Sequence, residues 1–246
     1  MLVDTHLHLI NENYDIAEVI NRAKKAGVEK LVVSGADIED NFLNIEKLEK
    51  YKNVFFTCGY HPEVANKVGE NELKKLEKLL ENDRVVAVGE IGLDYYYSKE
   101  NKDKQKELFK KQLDLAKKHK LPVVIHTRDA FLDTFNILKE YKLTGVIHCF
   151  SGSKEIAVQY IELGYLLGIG GVVTFKNSNL KNVLKEIGLE NIVLETDSPY
   201  LSPDRGNKNE PANIKTIAEF IGDYLGISLL EVARITTSNA ERIFKI

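Results

Sequence analysis

The segment Val3-Asp4-Thr5-His6-Leu7-His8-Leu9 decides how the rest of the chain is read. Val3, Leu7 and Leu9 make it apolar enough for a buried strand, and alternate side chains of a strand share a face. His6 and His8 therefore point the same way, with Asp4 behind them. Two imidazoles about 7 Å apart, at a rise of about 3.3 Å per residue, can grip a single cation. The competing reading is a pair of half-buried histidines that merely hydrogen-bond. What else the chain brings to the same point decides between the two.

Downstream, short apolar runs alternate with helical patterns. Strands are expected at 30–34, 53–60, 84–90, 121–127, 144–149, 165–169 and 191–196. Helices are expected at 15–26, 38–51, 71–81, from about Lys99 to His119, at 129–141, 154–163 and 180–187, with two more within 211–246. Gly27 is the C-terminal stop of the first. The second carries its apolar residues at Phe42, Ile45 and Leu48. Unbroken Val/Ile/Leu strands imply burial on both faces, hence a parallel sheet. With eight of them in 246 residues, the economical α/β arrangement is a (β/α)8 TIM barrel forming one domain over 1–246. An open doubly wound sheet would usually carry a glycine-rich phosphate loop after an early strand, and neither GxGxxG nor GxxxxGK[ST] follows any of these.

The bulk numbers agree with a soluble enzyme. The chain is 43% hydrophobic and 29% charged, with a formal net charge of −3, so it is no generic nucleic-acid coat. No charged-then-apolar leader opens it, and its longest apolar run, 164–175, is too short and glycine-rich to span a bilayer. Two cysteines without a CxxC pair suit a reducing cytoplasm, with no membrane partner and a monomer as the expected state.

In a (β/α)8 barrel the carboxyl ends of the strands meet on one face, where the active site lies. Those ends carry His6, His8, His61, Glu90, His126, His148 and Asp197; of the six histidines, only His119 falls elsewhere. Four neutral imidazoles and two carboxylates suit one or two divalent ions, and a pair of cations needs a shared anion. Glu90 is the expected bridge, with His6, His8 and Asp197 on one ion and His126 and His148 on the other. The mixed N/O set is compatible with Zn²⁺ or Mn²⁺ and less comfortably with Mg²⁺. Two such ions lower the pKa of a bound water and neutralise a phosphate or carbonyl oxygen, and Asp197 could ligate and also take the water's proton. Read alone, Asp197 could equally be a helix N-cap.

These residues stand in motifs that resemble TatD-type metal-dependent deoxyribonucleases: Val3 to His8, Gly59-Tyr60-His61-Pro62, Gly89-Glu90-Ile91-Gly92-Leu93-Asp94-Tyr95, His126-Thr127-Arg128-Asp129-Ala130, His148-Cys149-Phe150-Ser151-Gly152, Glu195-Thr196-Asp197-Ser198-Pro199-Tyr200-Leu201, and Arg205-Gly206-Asn207-Lys208-Asn209-Glu210-Pro211. The resemblance spans nearly the whole chain. It implies a (β/α)8 barrel, a divalent metal centre and hydrolysis of DNA, typically from 3′ ends. One departure is visible: the family commonly carries a second His two residues after the one in Gly-x-His-Pro, and Glu63 stands there.

Candidates for holding substrate are His61, Arg128, Arg205 and Asn209, with Lys208 beside them and Tyr95, Tyr96 and Tyr97 as a stacking platform. Arg128 could instead pair with Asp129 or Asp133. The Lys-rich run 99–120, interleaved with Glu100, Glu107 and Asp114, reads as a solvated helix face. The alternative function is amide or ester hydrolysis, as by a D-aminoacyl-tRNA deacylase or a small-molecule amidohydrolase. Many two-metal amidohydrolases bridge their ions with a modified lysine; Glu90 occupies that strand end here, which favours the deoxyribonuclease branch.

Overall fold

The computed structural model describes residues 1–10, 14–96 and 100–246. Among them, eight strands form one parallel sheet in the order β1 to β8: Leu2–Leu7, Val28–Ser34, Val54–Cys58, Val85–Asp94, Val123–Arg128, Gly145–Ile147, Tyr165–Ile169 and Ile192–Leu194. Helices α1 (Ile16–Lys25), α2 (Ile38–Leu48), α3 (Glu70–Leu79), α4 (Lys102–His119), α5 (Phe131–Tyr141), α6 (Lys154–Glu162) and α7 (Leu180–Ile187) alternate with them, and α8 (Ile214–Leu225) and α9 (Leu229–Phe244) follow. This is the expected (β/α)8 barrel. Lys99, the expected start of α4, lies outside the described residues.

Two layers of apolar side chains hold it together. Alternate positions such as Leu31, Val33, Val88, Ile125 and Leu167 pack outward under the helices. The others, Val3, Val32, Val86, Val124, Val146, Leu166 and Val193, fill the barrel interior together with Ala240 and Phe244 of α9. The final helix thus plugs the amino-terminal pole, leaving the carboxyl pole for chemistry.

The seam between β8 and β1 is closed largely by side chains. Asp4, fully buried, accepts the Thr196 amide at 2.9 Å on Oδ1 and the Thr196 hydroxyl at 2.6 Å on Oδ2. Thr5 Oγ1 donates to the Leu194 carbonyl, and the amides of Asp197 and His8 donate to the carbonyls of His6 and Ser198. Burial pushes the Asp4 carboxyl well above the usual carboxylate range, and the bonds from Thr196 only partly offset it.

Three details go beyond the sequence reading. First, β4 runs on to Asp94, so Glu90 sits within the strand rather than at its end. The extension pairs Ile91, Gly92 and Leu93 with Ile125, His126 and Thr127. Gly92 is required there: at φ +146° a Cβ would stand 1.9 Å from the His126 carbonyl oxygen. Second, the ladder slips one residue at Glu90, between Val88↔Val123 and Ile91↔Ile125, and again at His6, between Asp4↔Leu31 and Leu7↔Val33. Such irregularities re-aim side chains beside active sites. Third, α2 turns Asn41, Asn44 and Leu48 inward and leaves Phe42 exposed. Asn41 bridges loops, donating to the Gly59 carbonyl and accepting the Gly59 amide, and Asn44 donates to the Ser34 carbonyl.

Asp4→Ala strands the amide and hydroxyl of Thr196 at a dry seam, and each buried polar group without a partner costs about 1 to 3 kcal/mol. Urea denaturation should show a loss of about 2 to 3 kcal/mol in unfolding free energy; an unchanged midpoint would mean that the seam closes without this carboxylate.

Candidate metal centre

Seven side chains from six strands or their ends meet at the carboxyl pole, with Glu90 at their centre. His126 Nδ1 lies 2.8 Å and His148 Nε2 3.4 Å from Glu90 Oε1, and His61 Nε2 lies 3.8 Å from the same oxygen. His6 Nε2 stands 3.4 Å from Glu90 Oε2 and 3.7 Å from Asp197 Oδ1; His8 Nε2 is 3.6 Å from Asp197 Oδ1. The rings of His6 and His148 stack at 3.8 Å, and those of His61 and His126 meet edge-on at 4.4 Å. Three residues past β8, Asp197 turns back over the mouth through the left-handed region, φ 54°, with its amide on the His6 carbonyl.

Three of these imidazoles are hydrogen-bonded through their second ring nitrogen, and a fourth, His148, has a carboxylate beside it without hydrogen-bond geometry. His6 Nδ1 meets the Ser34 hydroxyl at 3.0 Å, and His8 Nδ1 meets the Ser34 carbonyl at 3.2 Å. His148 Nδ1 lies 3.2 Å from Glu195 Oε1, and His126 Nε2 lies 3.0 Å from Asp94 Oδ2. This is how metal-bound histidines are ordinarily held: one nitrogen is anchored, which fixes the ring orientation and frees the other.

The electrostatics suit a divalent cation. Burial alone would raise Glu90, yet His148, His126 and His6 outweigh it and hold its carboxyl well below the usual range. Burial pulls His148 down, but Glu90, Glu195 and Asp197 drive it up; His8 and His126 rise for the same reason beside Asp197 and beside Asp94 with Glu90. Burial lowers His6 and takes His61 to about 4. Asp197 stays below its usual value because the imidazoles outweigh its burial. His6 Nε2, fully buried, finds no hydrogen-bond partner among the described residues although two carboxylates face it. A buried nitrogen left without a bond and aimed at two acids is what a divalent ion would satisfy.

Donor atoms within 4.8 Å of one another form three groups: His6, His8 and Glu90; His6, His148 and Asp197; His61, Glu90 and His126. Glu90 is common to two of them. The expected partition differs in two respects: His148 groups with His6 and Asp197, and His61, expected among the substrate-holding residues, stands beside Glu90 and His126.

The substrate candidates scatter. Arg128 lines the cleft above the centre, its guanidinium 3.9 Å from the Tyr96 ring centre. Asp133 instead takes Lys106, at 2.7 Å. Arg205 lies over Phe175 at 4.3 Å and does not line the cleft, and Lys208 stands 5.8 Å from the Tyr14 ring. Asn209 is a correction: it is fully buried, donating to the carbonyls of Thr196 and Tyr200 and accepting from Glu210 and Asn213, so its amide ties the loop and cannot reach a phosphate. Tyr95 is another: its ring is buried and its hydroxyl donates to Asp133, which removes it from any stacking platform. Tyr96 is 56% exposed, and Tyr97 lies outside the described residues. The α4 lysines pair with acids, Lys111 with Glu70 and Glu107 and Lys118 with Glu77, as a solvated face does.

The sequence reading passed over Ser34, Asp94 and Glu195. Each belongs to a strand end or a quoted motif, but nothing in the order of residues says which imidazole it will meet. The cleft they support encloses about 440 Å³ and is lined by His8, His61, Glu90, Asp94, Arg128 and Tyr200 among others.

The sequence profile of a family described as TatD related DNase matches residues 3–245. The chain is 43% identical to a Bacillus subtilis protein described as the uncharacterized metal-dependent hydrolase YabD, over 100% of both. It is 35% identical to the human deoxyribonuclease TATDN3, across 99% of this chain and 94% of that one. The crystal structure of YJJV, a TatD homologue from Escherichia coli K12, superposes with a TM-score of 0.94 at 32% identity, covering 100% of this chain and 98% of the other.

Loss of an anchoring carboxylate behind a metal-bound histidine typically costs 10- to 100-fold in affinity, roughly. Glu195→Gln should weaken divalent-ion binding by about that factor in calorimetric titration while leaving the fold intact, and wild-type affinity would show that His148 needs no anchor. Since imidazole ligands must be neutral and the surrounding acids push His148 up to about 10, with His8 and His126 raised as well, the wild-type affinity should itself fall as the pH is lowered from about 10.

Proposed function

The chain belongs to the TatD related DNase family, whose relatives are metal-dependent hydrolases, and from that premise we propose that it cleaves DNA phosphodiester bonds, removing nucleotides from 3′ ends or single strands with two divalent ions, Mg²⁺, Mn²⁺ or Zn²⁺. The observation that carries this reading is Glu90, a buried carboxylate with four imidazoles within 3.8 Å and a fifth across Asp197. Its two oxygens face different histidines, Oε2 towards His6 and Oε1 towards His126, His148 and His61, which suits a bridge between two cations.

In this reading His6, His8 and Asp197 hold one side of the centre, His126 with His61 the other, and His148 reaches both. The ions supply a more acidic water and charge neutralisation at the non-bridging phosphate oxygens. The chain's own residues do the rest. Asp197, at the mouth and kept ionised by its imidazoles, accepts the proton of the attacking water on a carboxylate oxygen. Arg128, at the cleft rim, meets the flanking phosphate with its guanidinium edge while Tyr96 supports its face. The human relative's description as a deoxyribonuclease supports the substrate class. The protein is taken to work as a cytoplasmic monomer; no described helix is long and apolar enough to cross a membrane.

With Mn²⁺ or Mg²⁺, the purified protein should shorten a 5′-labelled single-stranded oligonucleotide stepwise from its 3′ end, and a chelator should abolish this. Activity that survives chelation would remove the metal mechanism. Run beside RNA and an aminoacyl-tRNA, the same assay decides between phosphodiester and acyl-ester substrates. Glu90→Ala should lower the rate by several orders of magnitude and reduce the bound metal together with it.

A further inference from the structure

Beside the metal cleft lies a second one, of about 510 Å³, between the loops that follow β5 and β6. His148 lines both, so the two open side by side at the carboxyl pole. Their chemistry is opposite. The second is lined by half-buried Phe131 and Ile156, backed by the buried rings of Phe150 and Tyr160, with Phe131 and Tyr160 packed edge to face at 5.4 Å. Leu132, 66% exposed, forms its lip. Gly152 keeps it open, since a Cβ there would stand 3.0 Å from the Phe150 ring and 3.2 Å from Ile156. Polar groups stand at its edge: the Asp129 carboxylate, the Ser151 hydroxyl and Thr127.

No lysine or arginine lines this cleft, so it is unsuited to a phosphate. An aromatic floor with a few acceptors and donors at the rim suits a flat, apolar-faced group with polar edges, and the volume is that of a small-ligand site. Large apolar side chains are also left in water elsewhere around the mouth, at Tyr96 and at Tyr200, 61% exposed, which is unusual for a face that binds only charge.

We propose that the cleft between the β5 and β6 loops seats the unstacked nucleobase of the nucleotide next to the scissile phosphate. The inference rests on the nuclease reading and deepens it: the metal cleft takes the phosphodiester, and the neighbouring aromatic slot takes the base attached to it. Because every base has a stackable face, the seat tolerates any sequence while requiring that a base be present. The Asp129 carboxylate, an acceptor, favours bases that present an exocyclic amino group.

The test uses the full chain with Mn²⁺ and two 5′-labelled oligonucleotides that differ only in their 3′-terminal residue, a cytidine nucleotide or an abasic one. Wild type should remove the cytidine nucleotide with a kcat/KM higher by about tenfold or more. Leu132→Glu, a change at an exposed position, should bring the ratio of the two rates close to one, and Leu132→Met should restore it. The protein contains no tryptophan, so 2-aminopurine at the 3′ end can be excited without background and should be quenched on mixing with wild type but not with Leu132→Glu. Equal rates on the two ends in wild type, or a preference that survives Leu132→Glu, overturns the seat while leaving the nuclease reading in place. If neither oligonucleotide is cut, the nuclease reading falls and the seat falls with it; acyl-ester hydrolysis that depends on Leu132 would then assign the slot to an acyl side chain.

Discussion

Two hydrogen bonds from Thr196 to the buried carboxylate of Asp4 close the barrel, and the rest of the molecule depends on that closure. The other strands pair through parallel backbone ladders along the sheet, with one-residue slips at a few places, whereas β8 and β1 lie at its two ends. The residues just beyond the seam are the ones that carry chemistry: His6 and His8 on one side, Asp197 on the other. A seam that joins side-chain bonds to two backbone bonds, from the Asp197 and His8 amides to the His6 and Ser198 carbonyls, lets Asp197 turn inward immediately after Thr196 while the sheet stays shut. A sheet left open there would separate Asp197 from both histidines and leave Glu90 with an incomplete ring.

The centre concentrates charge that burial opposes. Glu90 is nearly inaccessible, yet its neighbours keep it ionised, and each imidazole rises where the acids beside it outweigh its burial, as at His8, His126 and His148, and falls where burial wins, as at His6 and His61. Such a cluster is costly unless its groups are held and paired. Ser34, Asp94 and Glu195 hold the far nitrogens, so the near ones converge without having to choose among neighbours. The one-residue slips in β1 and β4 fall at His6 and Glu90, where a regular pleat would alternate away from the common point.

Much of this was legible in the sequence because strand ends are legible. Apolar runs fixed eight strands, and polar residues closing those runs had to gather wherever a parallel barrel gathers its carboxyl ends. The unreadable part was pairing. Glu195 lies two residues before Asp197, but only the closed sheet reveals that it backs His148. Asn41 and Asn44 on α2 look like a water-facing stripe, since periodicity cannot tell a polar face toward solvent from one that bridges buried loops. Asn209, in a loop rich in charge, gave no sign that its amide would be consumed by the backbone around it. The extension of β4 was hidden because a charged residue, Glu90, interrupts an apolar run that continues beyond it.

The plug of α9 at the amino-terminal pole also orders events in time. Ala240 and Phe244 fill the interior from below, and they follow all eight strands in the chain. During synthesis from the N-terminus, the strands are therefore made before the stopper that seals them. Until those residues leave the ribosome, the nascent sheet has a wet lumen lined by Val3, Val32 and Val193, a sticky surface that chaperones would have reason to shield.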